Sequence, residues 1–191
     1  TSDQADNLEN SEIAAKNNSS ASDDIVFRES NGFVLIEAES IPLSKGWSIE
    51  DTHQGFSGDG YITWTDSTNV EKNNQGLLPY KIKITKPGVY TLKMRNFHDC
   101  EDFTECNDVY VKMNDGEWQK NFNHNVNSWD WTLQQDIEHV FSDSQFDLDT
   151  GMHTLYLSGR SKDFSIDRIA LYHEDTNDDA YQSAENSEII P

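Results

Sequence analysis

The sequence predicts an all-β protein: an antiparallel β-sandwich of the jelly-roll kind, in one domain with mobile acidic tails. Short runs rich in β-branched and aromatic residues recur along the chain, Gly, Asn and Asp punctuate them, and no stretch between them has a convincing helical period. A chain of 191 residues suits one domain with a sizeable core.

Taken in order, strands are expected at "FVLIEAE", "GYITWT", "YKIKIT", "GVYTLKMRN", "DVYVKMN", "EWQKNF", "WDWTLQ", "MHTLYLSG" and "SIDRIALY", each of ordinary strand length. Turn chemistry separates them: "KPGVY" places Pro and Gly between two runs, and "MNDGEW" carries an Asp-Gly of the hairpin type. No internal repeat points to a propeller or solenoid. The polar, acidic opening has no apolar face with which to offset the entropy of ordering, and 1–26 is expected to be a linker or tail. The closing segment has the same character, so 174–191 is expected to be an acidic linker and 27–173 the folded domain. Asp175, Asn177 and Asp179 begin like a calcium loop, but Ala180 stands at the turn glycine and Asn186 at the bidentate acid, which favours the linker.

The net charge of −21 repels nucleic-acid backbones and anionic membranes, and about half of the acidity sits in the two tails. No apolar run approaches the ~20 residues of a helical membrane span, and no signal peptide is visible at Thr1, so the chain is expected to be a processed, secreted one. Cys100 and Cys106 lack zinc-knuckle spacing. A loop-closing disulfide is the natural reading, with two free thiols in a polar loop as the alternative; the bridge implies a compartment outside the reducing cytosol.

Alternation in "FVLIEAES" sets Leu35, Glu37 and Glu39 on one strand face and Val34, Ile36 and Ala38 on the other. Two carboxylates about 7 Å apart on one face repel each other unless a cation lies between them. Calcium, which takes hard oxygen ligands, is one candidate; an Arg neighbour such as Arg168 is the other.

The set "VLIEAES", "GFSGDGYITW", "YKIKITKPGVYTLKMRN", "GMHTLYLSG" and "FSIDRIALY" resembles carbohydrate-binding modules of families 6 and 35, whose fold is a galactose-binding-like sandwich. That resemblance implies a structural calcium held by Glu37, Glu39 and Asp167. It also implies a sugar site at the loop end of the sandwich, where a Trp stacks on a pyranose ring. "NSWDWT" is the matching stretch, one residue shorter between its tryptophans than the family's pattern. Trp129 is expected to stack on ligand, and Trp131 to pack inward or flank the site; a regular strand would put both on one face. An indole suits this task because sugar C–H faces are weakly apolar and a rigid plane covers them at little entropy cost.

The loop "GRSKDFS" lacks the family's Asn and offers Lys162, Asp163 and Ser165, while a bridged "NFHDCEDFTECND" loop would present His98, Asp99 and Asn107 to hydroxyls. Tyr61 and Trp64 fall on opposite faces, and Tyr61 is the one expected to face ligand.

Catalytic signatures are missing: there is no GxSxG, HExxH, P-loop or Rossmann pattern, and the six histidines are scattered. The sequence therefore predicts a non-catalytic, monomeric module that tethers a polysaccharide-degrading enzyme to a neutral or weakly charged glycan such as an agar-type galactan, a β-glucan or xylan. Its rivals are a glycan-binding adhesin and a small β-sandwich lyase or hydrolase with a Tyr/His pair.

Overall fold

Along 88–97 the fully buried Tyr90, Leu92, Met94 and Asn96 alternate with half-buried Lys93, Arg95 and Phe97, the period of a strand with one face in a core. The computed structural model describes residues 25–102, 104–177 and 180–190 of the chain. Within them the strands are β1 (Val26–Arg28), β2 (Phe33–Glu37), β3 (Trp47–Glu50), β4 (Tyr61–Trp64), β5 (Leu78–Ile84), β6 (Gly88–Phe97), β7 (Asp108–Met113) and β8 (Gln119–Phe122). They continue with β9 (Gln134–Ile137), β10 (Val140–Ser142), β11 (Gln145–Leu148), β12 (Gly151–Ser158), β13 (Ser165–His173) and β14 (Ile189–Ile190).

These strands form the expected sandwich. One sheet runs β10-β9-β8-β7-β12-β5-β1-β14; the other runs β11-β6-β13-β4-β3, with β2 also on β13. Pairing is antiparallel except between β1 and β5. The main core lies between the sheets, with Ile62, Trp64, Leu92, Met94, Ile169 and Leu171 from one and Tyr80, Ile82, Val109, Val111, Leu155 and Leu157 from the other. Gly159 has no alternative at its position, since a Cβ there would lie 2.1 Å from the Trp64 ring.

Three expectations need correction. The strand from Phe33 stops at Glu37, and Ala38–Ser40 form a 3₁₀ turn, so Glu37 and Glu39 do not share a strand face. No regular strand covers Trp129–Thr132: only Asp130 makes a bridge, to Asn96. The segment after His173 is not a linker, because Ala180–Gln182 form a 3₁₀ turn, Tyr181 is buried and β14 pairs with β1. A second apolar cluster explains the last point: Leu35, Ala170 and Tyr172 on the outer face of the β13 sheet are covered by Tyr181, Trp131 and Ala184. Burial of that patch stabilises an order that acidic composition alone argues against. The tail expected over 1–26 lies, up to residue 24, outside the described residues, as does Asp179.

Candidate functional site

A chain excursion from β8 to β9, residues 123–133, builds the groove that carries the two tryptophans. Asp130 exchanges both main-chain hydrogen bonds with Asn96 at the end of β6, N–O 2.9 and 3.0 Å. The fully buried Asn96 amide nitrogen donates to the carbonyls of Met94, Asp130 and Thr132, at 2.9, 3.3 and 3.1 Å. Its oxygen accepts from the Asn123 amide at 2.9 Å. Asn125 donates to the Asp130 carboxylate at 2.9 Å, and the same carboxylate accepts the Thr132 N–H. Asn127 makes the turn in the left-handed region, φ 58°, while its N–H donates to the His98 carbonyl at 2.9 Å.

Held in this way, Trp129 and Trp131 both reach over the outer face of the β6–β13 sheet, and both are half-buried. Trp129 rests edge-on against Tyr61, ring centroids 5.0 Å apart, and against Phe97 at 5.3 Å, with the Arg95 guanidinium 5.4 Å from its ring centre. Its indole N–H donates to the His53 carbonyl at 3.4 Å. Trp131 meets Tyr181 edge-on at 4.8 Å. Between and beside the indoles lies a groove of about 500 Å³. Its apolar surface comes from Trp129, Trp131 and Tyr181; its polar surface comes from Asp130, Thr132, Gln134, Gln182 and the Lys93–Asp143 ion pair, N–O 2.6 Å. Rings for C–H faces and flanking donors and acceptors for hydroxyls are what a sugar needs.

Other expected ligand contacts lie elsewhere. Tyr61 is fully enclosed: its hydroxyl lies 3.0 Å from the Thr52 hydroxyl and accepts the His53 N–H at 3.1 Å, so it supports Trp129 from beneath. Tyr61 and Trp64 do take opposite faces, but residues 51–60 cover the outer one, which buries both. His98 and Asn107 are also buried, whereas Asp99, Lys162 and Asp163 are exposed on loops that do not line the tryptophan groove. Reasoning from sequence missed Lys93, Asp143, Tyr181 and Gln182. Tyr181, the sole aromatic of the acidic tail, was the available signal.

The Cys100–Cys106 disulfide is present, with Cα atoms 6.2 Å apart. His98 lies beneath it, Nδ1 3.6 Å from the Cys106 sulfur. Burial holds its imidazole below the ordinary histidine pKa, the nearby His124 acts in the same direction, and Asp99 opposes. The folded state therefore binds this proton less readily than the unfolded chain, so the contribution of His98 to stability is present above pH 6.5 and diminishes as pH falls below it. The melting temperature is expected to drop between pH 7 and pH 5, and His98→Gln to flatten that drop. Equal slopes for the two proteins would take His98 out of the acid response.

Glu37, Glu39 and Asp167 come together around the 57–59 turn. Asp167 sits, fully buried, where the β13 register shifts between Ile166 and Arg168, a bulge of the kind that re-aims a side chain. It accepts from the Ser57 N–H at 2.9 Å and pairs with Arg95. Glu37 accepts from the Ser57 hydroxyl at 2.7 Å and from Asn186 at 2.9 Å, and it forms an ion pair with Arg168, N–O 3.1 Å. Glu39 accepts the Asp59 N–H at 3.2 Å, and its Oε2 is buried without a hydrogen-bond partner. The turn needs glycine at Gly58, φ +65°, because a Cβ would lie 2.5 Å from Glu39 Oε1. Burial raises the pKa of both Glu39 and Asp167, and the Glu37 charge raises both further. Hard oxygens, mutual repulsion and an orphaned oxygen suit a hard cation. Two of the three acids already hold arginines, and among the described residues no group of three or more Asp, Glu, His or Cys side chains is preformed as a metal site.

The sequence matches no family model and no curated protein. Among solved structures, the chain is similar to a Podospora anserina GH26-CBM35 β-(1,4)-mannanase, with a TM-score of 0.57 and 22% identity over 78% of this chain and 29% of that one. It is similar to an Arthrobacter globiformis T6 isomalto-dextranase complexed with panose, with a TM-score of 0.54 and 16% identity over 75% and 24%. Against the CBM35 module of Cellvibrio japonicus Abf62 the TM-score is 0.50, with 18% identity over 73% of this chain and 91% of the module. The chain thus spans about a quarter of each enzyme and nearly all of the module. The fold is that of family 35 carbohydrate-binding modules.

Proposed function

We propose that this domain binds carbohydrate without transforming it, and that the groove beside Trp129 and Trp131 is where a glycan chain rests. The observation that carries the reading is the pair of half-exposed indoles with Tyr181 along a polar groove, on a fold shared with carbohydrate-binding modules. A shallow site with two or three ring contacts and a few hydroxyl bonds should bind in the ~10 µM to mM range. By analogy with the two enzymes that contain the fold, the domain is read as a secreted, monomeric module that holds an attached polysaccharide-degrading enzyme near its substrate by raising effective concentration. The disulfide suits that setting. The acidic surface favours neutral or weakly charged chains, agar-type galactans and β-glucans among them. The two similar enzymes add β-(1,4)-mannan and isomaltose-type glucans to the candidates.

The test is affinity electrophoresis in gels carrying agarose, β-glucan, xylan, mannan or dextran, with reducing ends assayed in parallel. Retardation in one or more gels without new reducing ends is expected. Turnover by the isolated domain would replace binding with catalysis, and free migration in every gel would remove the carbohydrate.

The second part of the proposal is a structural calcium at Glu37, Glu39 and Asp167, the ion taking the charge that now raises two of their pKa values. An ion bound only by the folded state stabilises it by mass action, about 2.7 kcal/mol at a hundredfold excess over Kd. Millimolar calcium is therefore expected to raise the melting temperature over that in chelator, and Glu39→Gln to abolish the difference. Identical melts in calcium and chelator would strike the metal from the account.

A further inference from the structure

We propose that the outer face of the eight-stranded sheet docks the chain's own acidic segment, residues 1–24, which lie outside the described residues and lead directly into β1. The inference does not depend on what the tryptophan groove binds, since that groove lies over the β6–β13 sheet.

Strand parity decides what this face carries. Phe27, Ile82, Leu155 and Val111 point into the core, which turns their neighbours on β1, β5, β12 and β7 outward. Cross-strand register sets Arg28 beside Lys83 and Lys83 beside Met152, Lys81 beside Thr154, and Tyr156 beside Lys112. Lys112 lies between two rings, 5.2 Å from the centre of Trp118 and 5.1 Å from that of Tyr156. Four of the chain's 14 lysines and arginines thus share one face, and at its rim Glu188 pairs with Arg28, N–O 3.2 Å.

The segment is the complement of that face. It holds Asp3, Asp6, Glu9, Glu12, Asp23 and Asp24 against Lys16 alone, on a chain of net charge −21, so most of the surface repels it and this face attracts it. Its two large apolar residues, Leu8 and Ile13, stand next to Glu9 and Glu12, and the face offers Met152, 52% exposed, beside the lysines.

Connection and length fit as well. Ile25 leads into β1, which lies directly beside Lys81 and Lys83 on β5, so the chain itself brings Asp23 and Asp24 to them. From β1 to Lys112 on β7 the sheet runs three strand spacings, about 14 Å, and a stretch as long as that from Asp24 back to Glu12 spans about 19 Å on average. Glu12 therefore reaches Lys112 without stretching. Exposed ion pairs are individually weak, and what holds the segment is its tether, which keeps the carboxylates at about millimolar effective concentration. Docking of this kind is electrostatic and must yield to salt.

The experiment attaches a nitroxide spin label at Ser11→Cys in the full chain, whose two native cysteines are already paired, and reads the broadening of its amide NMR signals. In about 10 mM salt, where charges act over about 30 Å, broadening is expected at Lys83, Thr154, Tyr156 and Lys112 and at the Trp118 indole, with the Trp129 and Trp131 indoles spared; in about 1 M salt, where that range is about 3 Å, it should disappear. Lys83→Gln with Lys112→Gln should remove at least about half of it, and so should Glu9→Gln with Glu12→Gln, which leaves the sheet as it is. An unbroadened face at low salt, broadening spread evenly over both sheets, or broadening that survives high salt would overturn the docking. Broadening that passes, in an equal mixture, to isotope-labelled protein without the spin label would make the occupant a second copy's segment and overturn the proposal as well.

Discussion

With Trp129 and Trp131 both replaced by alanine, the domain is expected to migrate freely through a gel that retards the native protein, a loss of at least about 30-fold in affinity. Each indole keeps part of its surface in water beside a groove, so its removal takes away ring contact with ligand as well as packing. The packing loss is real. Trp129 meets Tyr61 and Phe97, and Trp131 meets Tyr181, so the double variant should also lose about 3 kcal/mol of stability, or roughly 6–12 °C in melting temperature. The control is Tyr61→Phe, which alters the support beneath Trp129 and leaves the groove lining intact. If the double variant stays folded by circular dichroism and is still retarded, the groove is not the site.

Asn96→Leu is expected to have the largest effect on stability, about 2–4 kcal/mol. Leucine fills a similar volume, so no large cavity is created. What it removes is a buried amide that makes four hydrogen bonds, leaving the Thr132 carbonyl and the Asn123 amide without that partner in a region closed to water. Because those bonds hold the 123–133 excursion against β6, glycan affinity should fall together with the melting temperature. The measurement is a thermal melt alongside the gel assay, in which Asn123→Ala should give a smaller loss in the same direction. A melt within about 1 °C of the native protein would mean that the excursion is held by its main-chain bridge and its indoles alone.

The local code of this protein is readable where one face of a strand is core and the other is water. β6 and β13 follow from alternation, and the Cys100–Cys106 bridge was the natural reading of two cysteines in one polar loop. For the two tryptophans the family resemblance implies ligand stacking by Trp129 and inward packing or a flanking place for Trp131; the structure leaves both half-buried beside one groove, with no regular strand to align them.

What alternation could not reveal is that the outer face of one sheet is covered as well. Tyr61 looked available because a strand's second face is normally wet; residues 51–60 lie over it, and the choice between ligand and core turned into burial on both faces. For the same reason Leu35 and Tyr172 became a second core, which drew Tyr181 and the acidic segment around it out of solvent and into the wall of the groove. Composition and period thus determined the sandwich, the disulfide and the residue types able to meet a sugar. Which of those residues are left facing water depends on long-range contacts such as Asn96 with Asp130 and Trp131 with Tyr181, and these free energies arise between segments far apart in the chain, where no local pattern records them.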